Sequence, residues 1–264
     1  MKFSLTLNKN NIMTWDPKKY NEFKAERSKP FDDLTSHIID KPNLKVIDLG
    51  CGTGELTQKL HQMLTNPFVL GIDNSAEMLA KAPVQENLEF KEKTVLEQIE
   101  DETKFDLIFS NAALQWIDNH TELFPKIISR INPGGQLAVQ MPQQNENILN
   151  KILLQLVQEE PFASYLKNWT RPSPVLTLDE YAKILFENGG KDLVLYEKVY
   201  PIISNKKDDF FDFISGSALT VYQERLGEEA FTALTTEFKK RIDAYFPVVP
   251  SIYAFRRLII YATF

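Results

Sequence analysis

The sequence predicts an α/β fold: a doubly wound, mostly parallel sheet of seven strands with a helical cap. Three observations carry that reading. Short apolar runs alternate with amphipathic stretches through the first 142 residues, the pattern of strand–helix–strand units. The first run, Leu44 to Leu49, leads into the turn Asp48-Leu49-Gly50-Cys51-Gly52-Thr53-Gly54, and a helical segment follows from Glu55 to Leu64. Glycines at a strand-to-helix turn let backbone approach a ligand, because no side chain stands in the way. The second run, Phe68-Val69-Leu70-Gly71-Ile72, ends in Asp73. An acid there, about 20 residues past the glycines, can accept from the ribose hydroxyls of a nucleoside.

Each element follows in order. Trp15, Tyr20, Phe23, Phe31, Leu34 and Ile38 recur at roughly helical spacing from Asp16 to Ile39, with Pro17 early and Pro30 expected to break the helix or start a new one. Residues 1–14 read as a loose polar tail. Strand one spans Lys45 to Leu49 and strand two Phe68 to Asp73. Ser75 is placed to cap a helix running to Lys81. Leu88 to Glu92 reads as strand three and Phe105 to Ser110 as strand four. A helix from Asn119 to Ile131 is expected to stop at Asn132-Pro133-Gly134-Gly135, before strand five, Gln136 to Met141. Helices are predicted at 148–158, 178–188, 206–214 and 228–246. Strand six falls at 192–203 and a closing strand at 257–262. The stretch 204–250 is too long for a hairpin loop, and reads as a helical cap over a site built on 15–203 and 251–264.

Composition narrows the function. The chain has 264 residues, 43% of them hydrophobic and 25% charged, which are ordinary globular values. No apolar run reaches the roughly 18 residues a membrane span needs, and residues 1–11 lack the apolar core of a signal peptide. One cysteine, Cys51, rules out an intrachain disulfide, and a cytoplasmic enzyme is the simple expectation. Cys51 reads as a small filler rather than a nucleophile. The net charge of −6 argues against a nucleic-acid substrate. Three histidines and one cysteine offer no metal-ligand spacing.

The glycine spacing discriminates between ligands. Gly50, Gly52 and Gly54 form G-x-G-x-G rather than the dinucleotide pattern G-x-G-x-x-G. Glu55 follows at the helix entrance, where a pyrophosphate would meet an unwelcome anion. With Asp48 at the strand end, a cationic amino-acid ligand fits better.

Asp48-Leu49-Gly50-Cys51-Gly52-Thr53-Gly54, followed by Gly71-Ile72-Asp73-Asn74-Ser75-Ala76-Glu77-Met78-Leu79, resembles the class I S-adenosylmethionine (SAM) methyltransferases, whose sheet is Rossmann-like. The resemblance implies an antiparallel hairpin of strands six and seven at one sheet edge. It implies SAM as cofactor, bound by Asp48, Gly50, Cys51, Gly52, Gly54, Asp73, Asn74, Met78, Thr94, Val95, Asn111 and Gln115. Further segments are similar to the trans-aconitate 2-methyltransferase family: Trp15 to Tyr20, Ala25 to Pro30, Asn111 to Trp116, Leu123-Phe124-Pro125 and Leu137 to Pro142. That family methylates a carboxylate of a small tricarboxylic acid. By this resemblance Tyr20, Arg27, Trp116 and Arg257 would line the acceptor site. A carboxylate is ionised at neutral pH, so no general base is required and no residue is assigned as catalytic. Arginine suits bidentate carboxylate recognition.

Two departures stand out. Thr94 stands where the family has an adenine-binding aspartate, and Thr220 where the cap carries an arginine, which points to an acceptor with fewer charges. His120 is read as a helix-entry residue without chemistry. Two alternatives remain at this stage. One is a malonyl-carrier-protein methyltransferase of biotin synthesis, whose acidic carrier would dock on Lys206-Lys207 or Lys239-Lys240-Arg241. The other is a non-catalytic SAM-binding regulator.

Overall fold

The computed structural model describes residues 24–264, with side chains from Lys29 onward. Expectations for 1–23, including the tail, Trp15 and Tyr20, lie outside the described residues, as does the side chain of Arg27.

Seven strands form one sheet in the order β3-β2-β1-β4-β5-β7-β6. They are β1 (Lys45–Leu49), β2 (Phe68–Asp73), β3 (Leu88–Glu92), β4 (Phe105–Asn111), β5 (Ile131–Pro142), β6 (Lys191–Ser204) and β7 (Ser251–Thr263). Strands β1 to β5 pair in parallel, and β7 runs antiparallel to both β5 and β6. Chain order reverses between β1 and β4, which opens a crevice beyond their carboxyl ends. Asp48, Asp73 and Asn111 all sit there.

Eleven α-helices are described: α1 (Lys24–Thr35), α2 (Glu55–Met63), α3 (Ala76–Leu79), α4 (Val95–Glu100), α5 (His120–Ile128), α6 (Ile148–Val157), α7 (Phe162–Tyr165), α8 (Leu178–Glu187), α9 (Asp209–Ala218), α10 (Thr220–Gln223) and α11 (Glu228–Tyr245). On one sheet face, Phe31 and Leu34 of α1 and Leu60 of α2 pack on Val46, Leu107 and Ile259. On the other, Phe124 and Ile127 of α5 and Tyr181 of α8 pack on Ile47, Ile108 and Val139. A third cluster joins α6 and α7 to α9, α10 and α11 through Leu149, Phe162, Phe210, Tyr222 and Phe238, and reaches β7 at Tyr253 and Phe255. The helices at 148–166 thus pack with those between β6 and β7.

Several expected boundaries shift. Pro30 lies inside α1 and does not break it. Phe31 and Leu34 are fully buried, and burying two such side chains, at about 1.5–3 kcal/mol each, outweighs a helix proline at about 3 kcal/mol. The helix stops at Thr35 rather than Ile39. The Asn132-Pro133-Gly134-Gly135 turn falls within β5 as a register irregularity, with α5 ending at Ile128. Gly134 takes φ 79° there, and the Asn132 amide donates to Asp106 at 2.8 Å. Strand β7 begins at Ser251, six residues before its expected start, because its first half pairs only with β6, from Ser204↔Ser251 to Tyr200↔Phe255. The short helices α4, α7 and α10 were not foreseen.

Candidate functional site

The glycine turn is held by its own backbone. The amides of Gly50 and Cys51 both donate to the Ile72 carbonyl at 2.9 Å, which ties the turn to β2. All three glycines have positive φ: 81° at Gly50, 56° at Gly52 and 73° at Gly54. Their surroundings differ. A Cβ on Gly50 would sit 2.2 Å from the Cβ of Ala113, and one on Gly54 would sit 2.6 Å from the Phe90 ring. At Gly52 it would meet nothing within 4 Å. Gly50 and Gly54 serve close packing, whereas Gly52 keeps a space open.

Asp73 closes that space. Its Oδ2 accepts from the Gly52 amide and its Oδ1 from the Ser75 amide, each at 2.9 Å. Each carboxylate oxygen can accept a second bond, so two hydroxyl donors could still be received. Ser75 caps α3 by accepting from the Met78 amide, which sets Asn74 and Met78 beside the same turn.

Asp48 lies beneath the turn, fully buried. Its Oδ2 accepts from the Thr57 hydroxyl at 2.6 Å, and its Oδ1 has no partner. Burial raises its carboxyl to about 7; the Thr57 bond opposes the shift and the Asp73 charge adds to it. Three more buried acceptors near the strand ends lack partners: Asn111 Oδ1, Gln115 Oε1 and, just past β5, Gln143 Oε1. Gln115 lies in a 3₁₀ turn, Leu114–Trp116, where its amide donates to the Ala112 carbonyl at 2.7 Å. Ala112 itself adopts φ 58°, a left-handed conformation unusual for alanine. The orphaned acceptors of Asp48, Asn111 and Gln115 fit a ligand that brings donors and positive charge. Cys51 is half-buried. Burial, with Asp48 and Asp73 nearby, pushes its thiol up and keeps it protonated, in line with a filler role.

Thr94 and Val95 follow β3 at the same sheet end. The Thr94 hydroxyl accepts from the Glu97 amide and donates to the Glu97 carboxylate, in a capping box that starts α4. That hydroxyl is therefore already engaged. Trp116 is 42% exposed on the turn after β4. Arg257 is 8% exposed and registers on β7 with Pro142, the last residue of β5. Its Nη1 donates to Gln140 Oε1 at 2.7 Å, and its guanidinium stacks on Phe255 at 4.5 Å. Gln140 is fully buried and registers with Asn111. It was not singled out from the sequence, although a polar residue inside the apolar run of strand five is a readable signal.

His120 opens α5, as expected, but it is also buried, and both ring nitrogens are bonded. Its Nε2 lies 3.0 Å from the Leu114 carbonyl, which can only accept, so Nε2 carries the proton and Nδ1 accepts from the Tyr181 hydroxyl. Burial lowers its pKa, favouring this neutral form. The pair braces the turn that carries Trp116. Thr220 is exposed, with its hydroxyl donating to the Ser217 carbonyl. Three of the proposed docking cations are paired with acids: Lys239 with Asp208, Lys240 with Glu237, and Arg241 with Glu159 and Glu237.

A methyltransferase-domain family model matches residues 40–190. This chain belongs to the methyltransferase family. A trans-aconitate 2-methyltransferase of Deinococcus radiodurans is 38% identical over 259 residues, covering 95% of this chain and 98% of that protein. Among solved structures, the YcgJ protein of Bacillus subtilis superposes with a TM-score of 0.57 at 14% identity, covering 89% of this chain and 97% of that one. Phosphoethanolamine N-methyltransferase 2 of Haemonchus contortus, solved with S-adenosyl-L-methionine, gives 0.53 at 17% identity, covering 89% of this chain and 52% of that one. These structures share the seven-stranded α/β fold. No described helix is long and apolar enough to cross a membrane. Among the described residues, no cluster of His, Cys, Asp and Glu is disposed to hold a metal.

Proposed function

We propose that the protein transfers the methyl group of SAM to a carboxylate of a small organic acid, forming a methyl ester. The observation that carries the cofactor is the trio of orphaned buried acceptors at Asp48, Asn111 and Gln115 beside an open glycine turn. The cofactor supplies a cationic methyl donor whose sulfur keeps the electron pair of the broken C–S bond. Asp48, Asn111 and Gln115 would hold its ammonium end. Asp73 would accept from its ribose hydroxyls, with Gly52 leaving room for its backbone-side face. Met78, Asn74 and Val95 would flank the adenine.

The acceptor carboxylate needs no deprotonation. The protein's part is to hold one oxygen in line and exclude water. Arg257, fixed by Gln140 and Phe255, is suited to orient that carboxylate. By the family resemblance Arg27 and Tyr20 would complete the acceptor site with Trp116, and the helices of 204–250 would cover it. A small free acid fits better than an acidic carrier protein, because Lys239, Lys240 and Arg241 are paired with acids. A cytoplasmic location is part of this reading.

Transfer of labelled methyl from SAM to a panel of carboxylic acids tests the proposal. The expected product is a methyl ester that releases methanol in alkali. Alkali-stable label, or none on any acid, would overturn it.

A further inference from the structure

A cavity of about 90 Å³ lies between the turn after β4 and the helices of the 204–250 stretch. Its link to the cofactor turn is direct. Ala113 touches Gly50, and two residues on, Gln115 and Trp116 form one wall of the cavity. The opposite wall is Val221 and Tyr222, with Gln144 and Asn150 contributing amide side chains.

The charge inventory is as informative as the shape. Two cations border the cavity, Arg171 and Lys151, and both are engaged. The Arg171 guanidinium pairs with Asp118 and donates to the Trp116 carbonyl at 3.1 Å. Lys151 pairs with Glu146 at 2.7 Å. Thr220, in the same cap turn, is neutral and spends its hydroxyl on Ser217. A second carboxylate entering this space would have to displace Asp118 or Glu146 from its cation or share it, and so gains little from either. A neutral amide or hydroxyl would meet glutamine and asparagine side chains that both donate and accept.

We propose that the acceptor is a monocarboxylic acid whose uncharged tail carries an amide or hydroxyl group, and that this tail seats between Trp116 and Tyr222 beside Gln144 and Asn150. The inference rests on the carboxylate-methylation reading for the acid end, and stands on its own for the tail.

Labelled-methyl transfer compares glutarate, its monoamide, butyrate and trans-aconitate, and calorimetry measures the monoamide binding to the full-length protein saturated with S-adenosylhomocysteine. The expected result is a kcat/KM for the monoamide roughly tenfold or more above that for glutarate. Asn150→Leu and Gln144→Leu should each lower the monoamide-to-butyrate ratio by about 2- to 10-fold, the worth of one neutral hydrogen bond. Turnover of glutarate or trans-aconitate at least matching the monoamide would overturn the proposal. So would an unchanged ratio in both variants when they melt like the parent. If no acid is methylated, yet the monoamide binds the S-adenosylhomocysteine complex and Asn150→Leu weakens it, the carboxylate reading falls and the tail pocket stands. If the monoamide does not bind, the tail pocket is refuted whatever is methylated.

Discussion

Asp48 should make cofactor binding depend on pH in a way that one substitution removes. In the ligand-free protein its carboxyl titrates at about 7 because it is fully buried. A cation placed against Oδ1 favours the ionised form and returns the group toward the ordinary range near 4. Binding below pH 7 must then expel a proton. At pH 6, one unit below that value, about nine-tenths of the ligand-free protein carries the proton, so about 0.9 proton is released per cofactor bound. Apparent affinity falls by about 11-fold at pH 6 relative to its high-pH limit, against about 1.1-fold at pH 8. Calorimetry in buffers of different ionisation enthalpy measures both quantities. In Asp48→Asn the affinity should be weaker at pH 8 but flat from pH 6 to 7, and the comparison cancels titration of the cofactor's own amine. The same shift acts on stability. The folded state holds the proton between pH 4 and 7 and the unfolded chain does not, so stability of the ligand-free protein falls as pH rises through that window. Asp48→Asn should therefore raise the melting temperature at pH 8. Identical pH profiles for parent and variant, or no proton release at pH 6, would refute this account of Asp48.

Three further outcomes are expected. Asp73→Ala removes the acceptor of the Gly52 and Ser75 amides as well as the ribose contacts, and should weaken SAM binding by about 1.5–3 kcal/mol; unchanged affinity by calorimetry would reject the assignment. Gly50→Ala places a Cβ 2.2 Å from that of Ala113 at φ 81°, and should cost about 1–3 kcal/mol of folding stability. Gly52→Val meets no atom within 4 Å, so its folding cost is the left-handed strain at φ 56° without a clash; it should abolish SAM binding while the sheet still forms, and thermal melts read beside binding isotherms will show whether the loss of binding exceeds the loss of stability. Arg257→Met should lower kcat/KM for the acid by roughly 10- to 150-fold with SAM affinity little changed; equal loss for cofactor and acceptor would point to a purely structural role.

The parts of this molecule legible in the sequence are those set by local chemistry. The glycine turn, the acid ending β2 and the boundaries of β3 follow from side-chain period and backbone freedom, which neighbours in sequence determine. Pro30 shows the limit: its propensity is local, but the burial of Phe31 and Leu34 that overrides it depends on β4, β5 and β7. The sequence read as a helix at 148–158 without showing what packs on it. The first half of β7 was missed because Tyr253 and Phe255 are too brief an alternation, just after Pro250. The orphaned acceptors and the tail pocket were invisible for a different reason. Which polar atoms lack partners is known only once residues 61 positions apart meet, as Ser110 and Leu49 do. Gln140 could have been flagged, since an amide inside an apolar strand calls for a reason.

The order β5-β7-β6 has a consequence for synthesis on the ribosome. Strand β7 is the last of the seven to be made, yet it belongs between two strands made earlier. Until residues 251–263 emerge, β5 and β6 have no direct partnership, and Leu137 to Met141 line an apolar, hydrogen-bond-hungry edge next to the nascent cofactor crevice. The parallel half, β1 to β5, can assemble first, but it waits with one flank open. A nascent chain stalled in α11 would therefore be the species most prone to edge-to-edge association, and holdase chaperones should engage it there and release it once β7 has slotted in.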